Sequence, residues 1–118
     1  MSHGAAFRAL IAADSPVVAL VGTRIAQDRI DQGKSRPFVV YGISAIEPQR
    51  MLDGTVIKTR VTLDVQCWGD TRLSADAVAD AITTAVRAVV TQSVSGRSTA
   101  YDGDLDLEAT VLVVEWWE

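Results

Sequence analysis

Residues 57–69 read I-K-T-R-V-T-L-D-V-Q-C-W-G, and this stretch decides the fold. Ile57, Thr59, Val61, Leu63, Val65 and Cys67 fall on one side of an extended chain, while Lys58, Arg60, Thr62, Asp64, Gln66 and Trp68 fall on the other. Successive strand side chains point to opposite faces, so the period of two predicts a strand with one packed face and one face toward solvent or a partner. Cys67 lies on the packed side, where a free thiol behaves as a small hydrophobe.

Upstream, residues 37–43 (P-F-V-V-Y-G-I) have the composition of a strand buried on both faces for part of its length, placed centrally in a sheet. Residues 47–54 (E-P-Q-R-M-L-D-G) then carry proline and Asp-Gly turn signals, which predicts a long hairpin connection into 57–69. Its tip holds Met51 and Leu52 between Arg50 and Asp53. An adjacent apolar pair flanked by charges at an exposed tip is a candidate anchor, buried only on docking, unless it folds back onto its own sheet. Further upstream, Phe7, Leu10 and Ile11 keep helical spacing over 5–13, and Asp14-Ser15-Pro16 supplies a cap and a first-turn proline for a second helical piece stopped by Gly22. Arg24-Ile25 reads as a short strand entering a polar loop over 27–36.

Downstream, Val78, Ile82, Ala85, Val86 and Val89 recur at three- and four-residue intervals and predict a helix over 73–90, with Ser74 as a cap ahead of Asp76. Residues 93–98 contain Gly96 and a single apolar residue, Val94, and read as a loop. The chain closes on a second alternation, with Leu105, Leu107, Ala109, Val111 and Val113 on one side and Asp106, Glu108, Thr110, Leu112, Val114 and Trp116 on the other. The expected fold is α+β in a single domain over 1–118. It has a mostly antiparallel sheet of about four strands, a long helix packed on one face and a short N-terminal helical segment.

Composition narrows the chemistry. At 118 residues, 48% hydrophobic and 22% charged, the chain suffices for one stapleless core. Its longest apolar run, 16–22, is far shorter than the ~20 residues that span a bilayer, so no membrane partner is expected, and residues 1–4 have no secretory character. A single cysteine and a single histidine exclude an internal disulfide and a Cys/His zinc site. A net charge of -4 argues against gripping nucleic acid through phosphates.

The densest cluster of ligand-type residues is 102–108, with Asp102, Asp104, Asp106 and Glu108. A calcium loop counted from Asp102 would need glycine and glutamate where Leu107 and Val113 stand, so a solvated acidic edge is the expected reading and no metal is assigned. No GxSxG, SxxK or GxxxxGK[ST] motif is present, and no catalytic residue or cofactor is expected. Trp68, Trp116 and Trp117 lack the interleaved lysines and arginines of a base-stacking platform. Trp116 and Trp117 are expected on opposite faces of the last strand, one in the core and one at a subunit contact.

Taken in order, several of these pieces make a pattern: Asp14 to Gly22, Arg24-Ile25, Pro37 to Tyr41, the Leu52-Asp53-Gly54 turn, the strand ending Asp64-x-x-x-Trp68, an alanine-rich helix and a closing aromatic strand. The chain thereby resembles the tail terminator (tail completion, head-tail joining) family of long-tailed bacteriophages and related prophages or gene transfer agents. Residues 101–106 are more acidic than that pattern. The resemblance implies a non-enzymatic virion protein, made in the host bacterial cytoplasm, that forms a homo-oligomeric ring, usually a hexamer. Such a ring caps the completed tail tube and joins the tail to the neck. Its partners would be the tail tube protein and a head-tail connector or stopper protein, and DNA would pass through without specific binding. Arg50, Met51, Leu52, Asp53, Trp68, Trp116 and Trp117 are the candidate tail-tube or subunit contacts, and Asp102, Asp104, Asp106 and Glu108 the candidate channel-facing acidic edge. The alternatives are another small neck component, such as a head-completion or stopper protein, and a cytosolic ligand-binding domain. The latter would need an enclosed apolar pocket with converging polar groups.

Overall fold

The computed structural model describes residues 4–28, 37–103 and 106–118. Its first two helices, α1 (Ala5–Ala13) and α2 (Ser15–Val21), are separated by one extended residue, Asp14, whose carboxylate accepts the Val17 N–H at 3.3 Å. Pro16 sits in the first turn of α2, where its missing N–H breaks no helical bond. Gly22 ends α2 at φ 59°, a backbone setting that costs glycine little and any other residue more.

The sheet comprises β1 (Ile25–Gln27), β2 (Phe38–Arg50), β3 (Val56–Gly69), β4 (Ser93–Asp102) and β5 (Leu107–Trp117), with α3 (Arg72–Arg87) between β3 and β4. Spatial order is β1-β2-β3-β5-β4; β1 lies parallel to β2 and every other pairing is antiparallel. The expected α+β class holds, but the sheet is mixed and has five strands rather than about four. The extra strand is β4, whose first half reads as a loop in sequence. It is an edge strand bonded only to β5 and mostly exposed, so burial never selects apolar residues at alternate positions. The helix is also shorter than expected. With 16 residues, α3 is roughly 24 Å long and stops at Arg87, and its cap is Thr71, whose hydroxyl accepts the Ser74 N–H at 3.1 Å.

Strands β2 and β3 pair from Phe38↔Trp68 to Arg50↔Val56, through a bulge between Ile43 and Ala45. Pro48, a turn signal in sequence, instead lies inside β2 opposite Thr59. Thr59 exchanges both backbone bonds with Glu118, so its neighbours Lys58 and Arg60 face β2 and bond Gln49 and Glu47 there. Pro48, between those two, points its nitrogen away from β3, to a side where no described strand pairs with it, so no ladder bond is lost. Among the described residues, β1 pairs only with residues 39–41 of β2.

All three helices cover one sheet face. Phe7 of α1 meets Tyr41 of β2 and Trp116 of β5 edge-on, with centroids 5.6 and 5.9 Å away. Val61, Leu63, Val65, Leu112 and Val114 line this face beneath Val78, Ile82 and Val86 of α3, all fully buried. Thr110 is the one fully buried polar side chain among the described residues. Among the described residues the opposite face holds a small cluster, Phe38, Val40 and Leu107 with Trp68 against them. Beyond the Ile46↔Val61 pair the β2–β3 hairpin leaves the helices behind, and the molecule is accordingly elongated, 51 × 28 × 24 Å.

Candidate assembly surfaces

The arm ends in a tightly bonded tip. Met51 N–H donates to Thr55 O (2.8 Å), Gly54 N–H to Met51 O (3.0 Å) and the Arg50 guanidinium to Gly54 O (3.0 Å). Gly54 adopts φ 89°, which closes the turn. Asp53 accepts the Thr55 N–H at 2.9 Å, and that bond holds its carboxyl below the usual range, so it is charged near neutrality. Fixed in this way, Leu52 is fully exposed and Met51 more than half exposed, with Ile46 and Val56 also open to solvent along the arm. Neither tip side chain folds back onto the sheet.

The three tryptophans separate by strand register. Trp116 is in the core, 6% exposed against Phe7, and so offers nothing to a partner in the folded chain. Trp117 lies half-buried on the opposite face under the Arg60 guanidinium, 5.9 Å from the ring centroid, and its backbone exchanges two bonds with the Gln92 amide. Trp68 is half-buried on that same helix-free face, its indole N–H donating to Gln66 at 3.0 Å. Between them run Thr62, Asp64, Gln66, Val111 and Val113, all half-buried, so this face is mixed in polarity. Arg60 pairs with Glu47 at 2.8 Å, across the strand, rather than with Asp64.

The acidic segment is less free than its sequence suggests. Glu108 is ion-paired with Arg72 at the start of α3. Asp106, at φ 52°, accepts the Tyr101 hydroxyl at 2.9 Å, a bond that raises the tyrosine pKa above its ordinary value. Asp102 ends β4, and Asp104 lies outside the described residues.

Sequence spacing gave no hint of the polar network that clamps β4 and β5 to α3. Arg72 donates to Ala109 O (2.6 Å), Thr110 Oγ1 (3.1 Å) and Ala100 O (3.3 Å) as well as to Glu108. The Thr110 hydroxyl donates a hydrogen bond to Asp76 at 2.6 Å, and Arg97 of β4 bridges Asp76 (3.3 Å) and Asp80 (2.7 Å). The Thr110 hydroxyl, then Arg97 and Arg72, hold the Asp76 carboxyl below its ordinary pKa. A depressed carboxylate adds stability that is complete above the unfolded value of 3.8 and is lost as pH falls through the folded one. Asp76→Asn should therefore lower thermal stability near neutral pH and converge with the parent as pH falls through the folded value, which flattens the acid limb below about pH 4. An unchanged acid limb would show that Asp76 does not carry it.

Beside this network, α3 and the first half of β4 enclose an open cleft of about 450 Å³, lined by Asp80, Thr83, Thr84, Arg87, Val94 and Leu112. Thr83 Oγ1 is shielded there from solvent without a hydrogen-bond partner. The cleft has no enclosed apolar interior with converging polar groups, as a small-molecule site would. Burial pushes the Cys67 thiol up to about 12, which leaves it protonated and unreactive. Among the described residues no group of His, Cys, Asp and Glu is placed to hold a metal, and no helix is long and apolar enough to cross a membrane.

No curated protein matches this sequence. Among solved structures, a chain from the virion of a native gene transfer agent particle shares the fold at a TM-score of 0.73 and 17% identity, over 97% of this chain and 96% of that one. The sequence profile of the family described as tail completion protein gp17 matches residues 5–118, the whole of the architecture set out above. The chain belongs to the tail completion protein gp17 family and is a structural, tail-completing component of a virion.

Proposed function

We propose that the protein assembles as a homo-oligomeric ring, a hexamer, that caps the completed tail tube and presents its other side to a head-tail connector or stopper protein. The family match over nearly the entire chain carries this reading. A ring needs two different patches that meet head to tail. The exposed arm tip at residues 50–53 and the helix-free face bearing Trp68 and Trp117 supply surfaces of the right kind. The protein performs no catalysis; its function is to stop a polymer and join it to the next layer. Added to polymerising tail tube protein, it should shorten the tubes in proportion to its concentration, and tubes of unchanged length would refute the cap.

The acidic end, Asp102, Asp104, Asp106 and Glu108, faces the channel or rim in this proposal, because a passage for DNA should repel phosphate rather than hold it. Replacing Asp102, Asp104 and Asp106 together with Asn should leave rings intact and increase DNA retention in a salt-dependent way. Loss of rings would instead make the segment an interface.

A further inference from the structure

Among the described residues, β4 pairs with β5 alone along its ten residues, Ser93–Asp102. Because Thr59 exchanges both backbone bonds with Glu118, the even-numbered residues of β5 bond β3 and the odd-numbered ones bond β4, where they meet Gly96, Ser98 and Ala100. The N–H and C=O groups of Arg97, Thr99 and Tyr101 therefore point out of the sheet, and no described residue meets them. Natural edges of this length are blunted by proline, by lysine or by a covering segment. β4 contains no proline, and the one charge inside it, Arg97, is turned onto α3 by Asp76 and Asp80. Arg72 holds the strand in place through Ala100 O and Ala109 O.

We propose that β4 of one free chain pairs antiparallel with β4 of a second copy, about a two-fold axis through Thr99, and joins the two five-stranded sheets into one. The edge is complementary to itself. Its outward residues lie symmetrically about Thr99, so Arg97 faces Tyr101, Thr99 faces Thr99, and each exposed N–H and C=O of the three finds a partner. Any other centre leaves some of them unmatched. All three side chains share the helix side of the sheet, so the helices of both copies lie on the same side of the joined sheet. The Tyr101 ring, 58% exposed, comes over the Arg97 guanidinium of the second copy, whose bonds to Asp76 and Asp80 lie in its plane and leave its face to an aromatic ring. Thr99 against Thr99 is a favourable cross-strand pair, and on the other face Ser98 meets Ala100 without bulk or like charge. The opposite side of the sheet is a poorer partner, because Pro48 lacks the N–H that a ladder needs. Pairing so few residues buries less than the ~1,200 Å² of a stable complex, so the dimer is weak and can yield to assembly. An isologous contact closes at two copies and leaves the head-to-tail contacts of a ring to other surfaces. It goes beyond the tail-completion reading and does not depend on it.

Sedimentation equilibrium of the purified full-length chain over a rising concentration series tests this first, and a monomer–dimer equilibrium is expected. Thr99→Pro should raise the dissociation constant about tenfold or more, since it removes one bond from each copy at the axis. The N–H it deletes bonds nothing within the chain, so its thermal unfolding should stay close to the parent's. Register is read independently by disulfide trapping. Ser98 and Ala100 face each other in a pair without mutual backbone bonds, with Cα atoms about 4.5 Å apart, within the range a disulfide spans. A mixture of the Ser98→Cys chain and the Ala100→Cys chain should give a mixed dimer on mild oxidation far faster than either alone gives a dimer, and Cys67, being buried, takes no part. A chain that stays monomeric up to about 1 mM, passes from monomer to ring without a dimer, dimerises equally well as Thr99→Pro, or forms the mixed disulfide no faster than the single variants would overturn the proposal.

Discussion

Trp116→Ala should lower the unfolding midpoint by roughly 12–25 °C, from a loss of about 3–5 kcal/mol. Its indole is 6% exposed and meets the Phe7 ring edge-on, and Phe7 in turn meets Tyr41, so one aromatic chain ties the first helix to the last and second strands. Removing it leaves a cavity that those strands cannot close without breaking register. A domain of this size has about 5–15 kcal/mol of net stability, so the loss removes a large share of it. Trp117→Ala, one residue on, should cost much less, because that ring lies half-buried on the outer face, under Arg60. Differential scanning calorimetry of the two variants checks the contrast, and equal losses would contradict it.

Changing Met51 and Leu52 together to Asp should leave the isolated domain folded and yet remove assembly. Leu52 is fully and Met51 more than half exposed in the monomer, so the substitution breaks little intramolecular packing. Buried on docking, each would count among the anchoring residues that carry most of an interface's free energy, on the order of 2–4 kcal/mol apiece when lost. Tails of particles carrying the variant should be overlong and heads unjoined. Loss of the variant's own thermal transition would show that the tip supports its own fold after all, and tails of normal length would remove the tip from the functional surfaces.

Legibility in the sequence followed burial. β3 and β5 announce themselves because one row of each, such as Val61, Leu63 and Val65 or Leu112, Val114 and Trp116, must enter the core under α3. The cap at Asp14 and the stop at Gly22 are local and equally plain. β4 is hidden because an edge strand in solvent has no apolar row, and Pro48 misleads because a proline is harmless where its nitrogen points away from the one described strand it pairs with. The arm tip is visible as an apolar pair between charges, but not that its turn is held by Asp53 and Thr55. Least legible is the clamp, since Arg72 and Thr110 stand 38 positions apart and only the pairing of β5 against β3 and β4 brings them together. Glu108 belongs to that clamp through Arg72, which no local pattern among the acids of 102–108 discloses.

The central claim is that this chain completes tails. Electron microscopy of particles produced without it, measured against particles in which it is restored, tests that directly through the distribution of tail lengths. Broad, overlong tails detached from heads in its absence, and one sharp length with heads attached on restoration, are the predicted result. Tails of one length joined to heads without the chain would contradict the account.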